Sequence, residues 1–389
     1  LLVLLTPMRG AAEVVDDVVA FAAKHGGGPL AVRTLAIVSL AMFDAANAVE
    51  RRYQPYIASP PAPADIDIEQ AALAAGCAAL ATIRPAQADA IHRECLAIRD
   101  DPLTEGSARS RRYGEPIGVA HAETRRNDGI GAANAYRPYT APGVYVPTLL
   151  PVGFDVATAM PFALTSPSQF RPDAPPALAS ERWSRDYNEV RTMGARDGSQ
   201  RTAEQTATAL FFASNGPQQF LDSVTPLPPG LKGTTDRARY YALVYMALFD
   251  TGVALFDAKY SYNFWRPITA IRNGDLDGND ATPRDAGWMP LIETPPHPEY
   301  PCAHCVTAAA FAAVMLAGER KLLVVRSAAL PGQAASTREF RSTHELAALV
   351  ADARVFAGLH YRASTEAGER MGTAIGEYVV ATQLRRLAR

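Results

Sequence analysis

The sequence runs to 389 residues, 48% hydrophobic and 20% charged. That balance suits one large or two fused folded bodies and excludes disorder, collagen-like repeats and coiled coil. With 38 basic side chains against 40 acidic ones, the chain lacks the surplus of Lys and Arg with which nucleic-acid binders neutralise phosphates, so no nucleic-acid partner is expected.

At the start, LLVLLTPMRGAA lacks an initiator Met and reads either as the stub of a secretory signal or as a frayed first helix. The first reading implies a periplasmic or secreted address, the second a cytoplasmic one. No uninterrupted apolar run reaches the roughly 18 residues of a membrane span, so no span is expected and the protein is read as soluble.

Apolar residues recur at three- and four-residue spacing through most of the chain, the mark of amphipathic helices. The spacing predicts helices near 11–24, 30–50, 68–83, 86–99, 104–126, 178–193, 200–214, 236–265, 303–318, 343–357 and 364–385. The fold class expected is all-α. Between 136 and 176 the run RPYTAPGVYVPTLLPVGFDVATAMPFALTSPSQFRPDAPP is too rich in proline for continuous helix, and a loop that long reads as the lid or wall of a site. A second break, TPLPPGLKGT at 225–234, divides the chain into halves 1–225 and 226–389, with the chemistry in the second. NGDLDGNDATPRD at 273–285 lacks the spacing of an EF-hand and reads as a connecting turn.

Three clusters carry chemistry. In FDAKYSYNFWRPITAIR, Lys259 and Arg266 stand two helical turns apart beside Phe264 and Trp265, and Pro267 ends the helix at Arg266. Such a pair is either a solvated helix face or a call for an anion. In TPPHPEYPCAHCVTAAAFAAVMLAGE, a helix begins just after Pro301, which puts Cys302, Ala303 and His304 at its N-terminus, where free N–H groups and the helix dipole favour an anion. Cys302, His304 and Cys305 also suggest zinc, but no second cysteine pair lies nearby in sequence to complete a tetrahedron. In ARVFAGLHYRASTEAG, Arg354 and His360 are six residues apart, so their joint action requires a break, which Gly358 permits. Four cysteines, Cys77, Cys95, Cys302 and Cys305, are too few to staple a chain of this length, and the fold is expected not to depend on them.

In this order, Lys-x6-Arg-Pro, Pro-x2-His and Arg-x5-His resemble the three-part signature of the phosphatidic acid phosphatase type 2 superfamily, which includes vanadium-dependent haloperoxidases. FDAKYSYNFWRPITAIR, HPEYP and the N-terminal LAIVSLAMFDAANAVERRYQPY are similar to the bacterial haloperoxidase branch. The resemblance implies two fused four-helix bundles in a bacterial protein. It also implies vanadate as cofactor, with phosphate or sulfate able to replace it, and hydrogen peroxide with a halide or small organic acceptor as partners. A homo-oligomer is compatible with it.

By the same resemblance, Lys259, Arg266 and Arg354 would hold the oxyanion's equatorial oxygens, with Cys302 and Ala303 completing the cradle. His304 would be the acid/base, Lys259 would polarise bound peroxide, and His360 would be the axial metal ligand. His360 would instead be the nucleophile in the phosphatase alternative, and an oxyanion binder without turnover is a further alternative. Trp265, His297 and Ser364 would stand behind these groups, with His297 steering halide choice toward bromide or iodide. Two departures from the family pattern stand out: Cys302 replaces a Ser, putting a thiol in the cradle, and Ser364 replaces an Asp that would bond the axial His. Glu366 is one acid that would substitute for it.

Overall fold

The computed structural model describes residues 13–26, 31–99, 104–213, 218–225, 227–228, 230–231, 233–317, 322–328 and 334–388. The opening segment read as a signal stub or frayed helix, residues 1–12, lies outside the described residues. Helices dominate, in the order Glu13–His25, Ala31–Glu50, Ile68–Ile83, Ala88–Leu96, Glu105–Glu123, Glu181–Met193, Ala203–Phe211, Thr234–Tyr262, Ala303–Leu316, Thr343–Phe356 and Arg362–Thr382, with short turns of helix between them.

The chain divides into two compact units. One comprises Leu1–Asp128, Leu227–Phe249 and Val380–Arg389; the other comprises Gly129–Pro226 and Asp250–Val379. In the first unit, the Ile68–Ile83 helix packs between Ala31–Glu50 and Glu105–Glu123. The approach is close because Gly114 and Gly118 leave no room for a Cβ, which would lie 2.1 and 2.0 Å from the carbonyl oxygens of Ala71 and Ala75. The Asp44 carboxylate is buried there and accepts from His121, Tyr56 N and Ile57 N. A disulfide joins Cys77 to Cys95.

In the second unit, Thr343–Phe356 packs on Ala303–Leu316 and on Ala203–Phe211. Gly368, Gly372 and Gly376 let Arg362–Thr382 approach the Ala303–Leu316 helix, with backbone or side-chain atoms of that segment under 3 Å from where each Cβ would stand. An aromatic core of Trp183, Tyr187, Phe264, Trp265, Tyr300 and Tyr361 backs the C-terminal motifs. The one sheet among the described residues is an antiparallel hairpin, Leu323–Ser327 with Ser336–Phe340, which the helical periodicity did not anticipate.

Two helices, Ala31–Glu50 and Thr234–Tyr262, are long and apolar enough by composition to cross a membrane, yet 78% and 83% of their apolar windows are buried inside the protein. Both are broken by polar residues, which is why no uninterrupted run marked them. The 273–285 segment is a set of local turns: Asp277 accepts from Asn279 N, Thr282 Oγ1 and Trp183 Nε1.

Candidate oxyanion site

The site is assembled in the second unit by three chain segments whose local structure follows from punctuation in the sequence. The Thr234–Tyr262 helix carries Lys259 in its last turn and stops at Tyr262, because Asn263 takes a left-handed φ of 47°. Arg266 is therefore not on the helix, as the spacing had predicted; it lies in extended backbone capping Pro267–Arg272. The intervening residues pair on both sides. Tyr145 N donates to Asn263 O at 2.8 Å, Trp265 N to Gly143 O at 3.0 Å, and Glu299 N to Phe264 O at 2.9 Å. The proline-rich 136–176 segment thus pairs with the extended backbone leading into Arg266.

The Ala303–Leu316 helix begins at Cys302, its N-cap. Helix geometry leaves the amides of Ala303 and His304 without an intrahelical acceptor. Cys302 N is anchored to Ser364 O at 3.2 Å. The thiol reading of Cys302 is corrected here: its sulfur is bonded to that of Cys305, and no free cysteine is present. The cradle therefore carries no S–H donor at this position, and the Cys302 sulfur instead accepts from Cys305 N at 3.2 Å. The four cysteines thus form two disulfides, pairings the sequence reading did not make. A three-residue separation at a helix start brings both half-cystines together, and the Cys77–Cys95 pair joins two neighbouring helices.

In the third segment, Thr343–Phe356 places Arg354 in its final turn, and Gly358 breaks the chain with φ 77°, so that His360 lies before the next helix rather than on the same one. Packing leaves no alternative to Gly here, since a Cβ would come within 2.5 Å of Gly194 O.

Lys259, Arg266 and Arg354 are 0%, 1% and 2% exposed, which excludes a solvated helix face. Lys259 donates to the carbonyls of Pro298 and Glu299, both at 2.7 Å. Arg266 donates to His297 O at 2.9 Å, Leu359 O at 3.0 Å, His297 Nδ1 at 3.0 Å and His360 Nε2 at 3.2 Å. A guanidinium can only donate, so His360 Nε2 is the unprotonated nitrogen and its Nδ1–H points to Glu299 Oε1 at 2.7 Å. Glu299 is the carboxylate that sequence reasoning missed. Neither Ser364 nor Glu366 fills that role: Ser364 backs Glu299, and Glu366 pairs with Arg182 at the surface. The signal was present in HPEYP, where a lone acid sits between prolines in an apolar stretch.

Charge in this cluster is unbalanced. Glu299 is the carboxylate that Lys259 and Arg266 feel, and Arg354 feels only further positive charge. Burial and the neighbouring cations drive Lys259 well below its ordinary value and Arg354 down to about 9, while burial lowers Arg266 to about 10 against the pull of Glu299. Burial lowers His297, His304 and His360 well below the usual histidine value, and the adjacent cations lower them further, so all three are neutral at pH 7. Burial raises Glu299 to about 7, against the pull of Lys259 and Arg266.

Several buried polar atoms beside these cations have no partner: His304 Nε2, Arg354 Nε, Trp265 Nε1 and Tyr145 Oη. Arg354 makes one long hydrogen bond, to Phe212 O at 3.4 Å. Buried donors without acceptors and cations without counter-charge are costly unless a guest supplies both. The donor set fits a compact oxyanion with several acceptor oxygens, such as vanadate or phosphate. Hydrogen bonds join Arg266 to His297 and His360, and the positive charge of Lys259, Arg266 and Arg354 reaches both His304 and His360. Trp265 is near but belongs to the aromatic core, 5.9 Å from Trp183 in a stacked arrangement.

Comparison with known proteins follows the same line. Residues 239–388 match the family described as the VCPO second helical-bundle domain. Over 212 residues the chain is 26% identical to vanadium chloroperoxidase from Curvularia inaequalis, a match covering 46% of this chain and 32% of that protein. The chain thus spans about a third of the length of this curated relative. Among solved structures, its fold is similar to that of the first bacterial vanadium-dependent iodoperoxidase, with TM-score 0.78 and 21% identity over 97% of this chain and 98% of that one. It is also similar to an apo bacterial vanadium-dependent chloroperoxidase, with TM-score 0.68 and 17% identity over 96% and 94%. At these identities the structural likeness speaks to the fold, and the mostly helical architecture and the resemblance drawn from the motifs are both borne out.

Proposed function

We propose that the chain is an enzyme of the vanadium haloperoxidase type, oxidising bromide or iodide with hydrogen peroxide, a reading supported by the match of residues 239–388 to the VCPO second helical-bundle domain. The observation that carries this reading is the set of buried cations Lys259, Arg266 and Arg354 whose charge reaches His360, with Arg266 on its Nε2 and the Glu299 carboxylate on its Nδ1. Vanadate held there would supply the Lewis acidity that activates peroxide toward a halide.

The protein's own contributions follow from geometry. Lys259, Arg266, Arg354 and the amides of Ala303 and His304 would hold the oxygens. Arg266 covers His360 Nε2 in the structure, and a guest accepting from that guanidinium would leave the lone pair free to bind. Glu299 fixes the tautomer and, by accepting from Nδ1–H, raises the basicity of Nε2. His304, neutral and with Nε2 unpartnered, would take up a proton from incoming peroxide. His297 bonds Arg266 and meets Phe256 edge-on, with ring centroids 5.5 Å apart, where it would border the halide.

The same cradle suits a phosphoryl group, with His360 Nε2 as nucleophile and His304 protonating the leaving oxygen. Two assays on purified protein separate the readings. Vanadate-dependent oxidation of iodide or bromide by peroxide, abolished in His360→Ala, is the expected result. Hydrolysis of a nitrophenyl phosphate that vanadate inhibits, with no halide oxidation, would assign the phosphatase; oxyanion binding with neither reaction would leave a binder without turnover.

A further inference from the structure

The wall segment contributes a group that none of the motifs contains. Tyr145 lies where the proline-rich stretch pairs with the extended backbone leading into Arg266: its amide donates to Asn263 O, and Val144 bridges Phe264. The residue is 2% exposed, and its hydroxyl is buried with no hydrogen-bond partner. A buried phenol normally finds a partner, because leaving the O–H unmet forfeits the hydrogen bond it made to water. Nearby tyrosines show the ordinary outcome. Tyr136 donates to Asn263 Oδ1 at 3.1 Å and Tyr260 to Val152 O at 2.6 Å, and both are half-buried or more exposed. Tyr145 is the deeper member of this group and the one whose hydroxyl the Arg266 charge reaches. Tyr361, the other unpartnered phenol felt by Arg266, is instead packed among Trp183 and Phe264 in the aromatic core.

We infer that the Tyr145 hydroxyl is a further binding group of the site, donating a hydrogen bond to the oxyanion that Arg266 holds. The inference rests on the oxyanion reading of the site and deepens it: one neutral donor from the wall complements the cations and the helix amides. It also gives the 136–176 segment a role in binding, since the pairing of Gly143 and Tyr145 with Trp265 and Asn263 sets where the phenol stands. Burial raises the Tyr145 phenol to about 12, so it remains a donor throughout the neutral range.

The test is equilibrium titration of wild type and Tyr145→Phe with orthovanadate, and separately with inorganic phosphate, by calorimetry, alongside unfolding of both proteins without ligand. A hydrogen bond to a charged acceptor predicts at least tenfold weaker orthovanadate binding in Tyr145→Phe, with ligand-free unfolding unchanged or shifted upward because the deleted hydroxyl had no partner. Equal affinities within twofold would overturn the inference while leaving the oxyanion site intact. A variant that unfolds earlier without ligand, or fails to fold, would overturn it too, by showing that the hydroxyl serves the fold. Failure of the wild type to bind either oxyanion would instead overturn the reading of the site itself.

Discussion

Glu299 and His360 form one proton-coupled unit, and its energetics can be measured without any ligand. The Glu299 carboxyl titrates at about 7 in the fold against an ordinary value of 4.5, because burial disfavours its charge. Between those values the fold holds a proton that the unfolded chain has released. The stability this group contributes is therefore full below about pH 4.5 and is lost as pH rises through about 7. The span corresponds to roughly 3 kcal/mol at most, at 1.36 kcal/mol per pH unit. Glu299→Gln removes the titration while its side-chain oxygen still accepts from His360. In chemical denaturation of the ligand-free proteins, wild-type stability should fall relative to the variant between pH 5 and pH 8; parallel profiles would refute the assignment. At this scale the sequence disclosed the cations and imidazoles, because each stands in a distinctive local pattern. It concealed Glu299, because the bond to His360 joins residues 61 apart in the chain. It also misled at Cys302, where reading the position against a Ser hid a disulfide whose C-x-x-C spacing was in plain view.

Among the elements, the main helices fall within a few residues of the periodicity, and the errors have physical causes. The helix predicted to run to Trp265 ends at Tyr262 because Asn263 adopts the left-handed conformation, and Pro267 bars Arg266 from helical backbone. The Leu323–Ser327 strand is a short apolar run, for which spacing alone does not separate strand from helix. Gly358 was legible as a break, and the structure gives it a second reason: its Cβ would stand 2.5 Å from Gly194 O and 2.8 Å from Pro290 Cβ. Left-handed φ and lack of space act together. Gly358→Ala should therefore cost about 2 kcal/mol or more and, by shifting Arg354 relative to His360, weaken oxyanion binding. Thermal unfolding and orthovanadate titration check both halves; an Ala variant that unfolds like wild type would show that the turn tolerates a side chain.

For the whole molecule, the relevant quantity is free energy linked between folding and binding. Within the second unit, the cluster of Lys259, Arg266 and Arg354 sets three buried cations against the one carboxylate of Glu299, so the ligand-free fold carries a charge cost there that an oxyanion would offset. Replacing a buried charge that lacks a counter-charge by an apolar side chain is neutral or stabilising in such a setting, whereas a ligand present at a hundred times its dissociation constant stabilises by about 2.7 kcal/mol. The most direct measurement is the unfolding midpoint of wild type and Arg354→Leu, each with and without saturating orthovanadate. The account predicts that Arg354→Leu is at least as stable as wild type without ligand, that orthovanadate raises the wild-type midpoint, and that it leaves the variant's nearly unmoved. A destabilised Arg354→Leu together with a wild type indifferent to orthovanadate would contradict it.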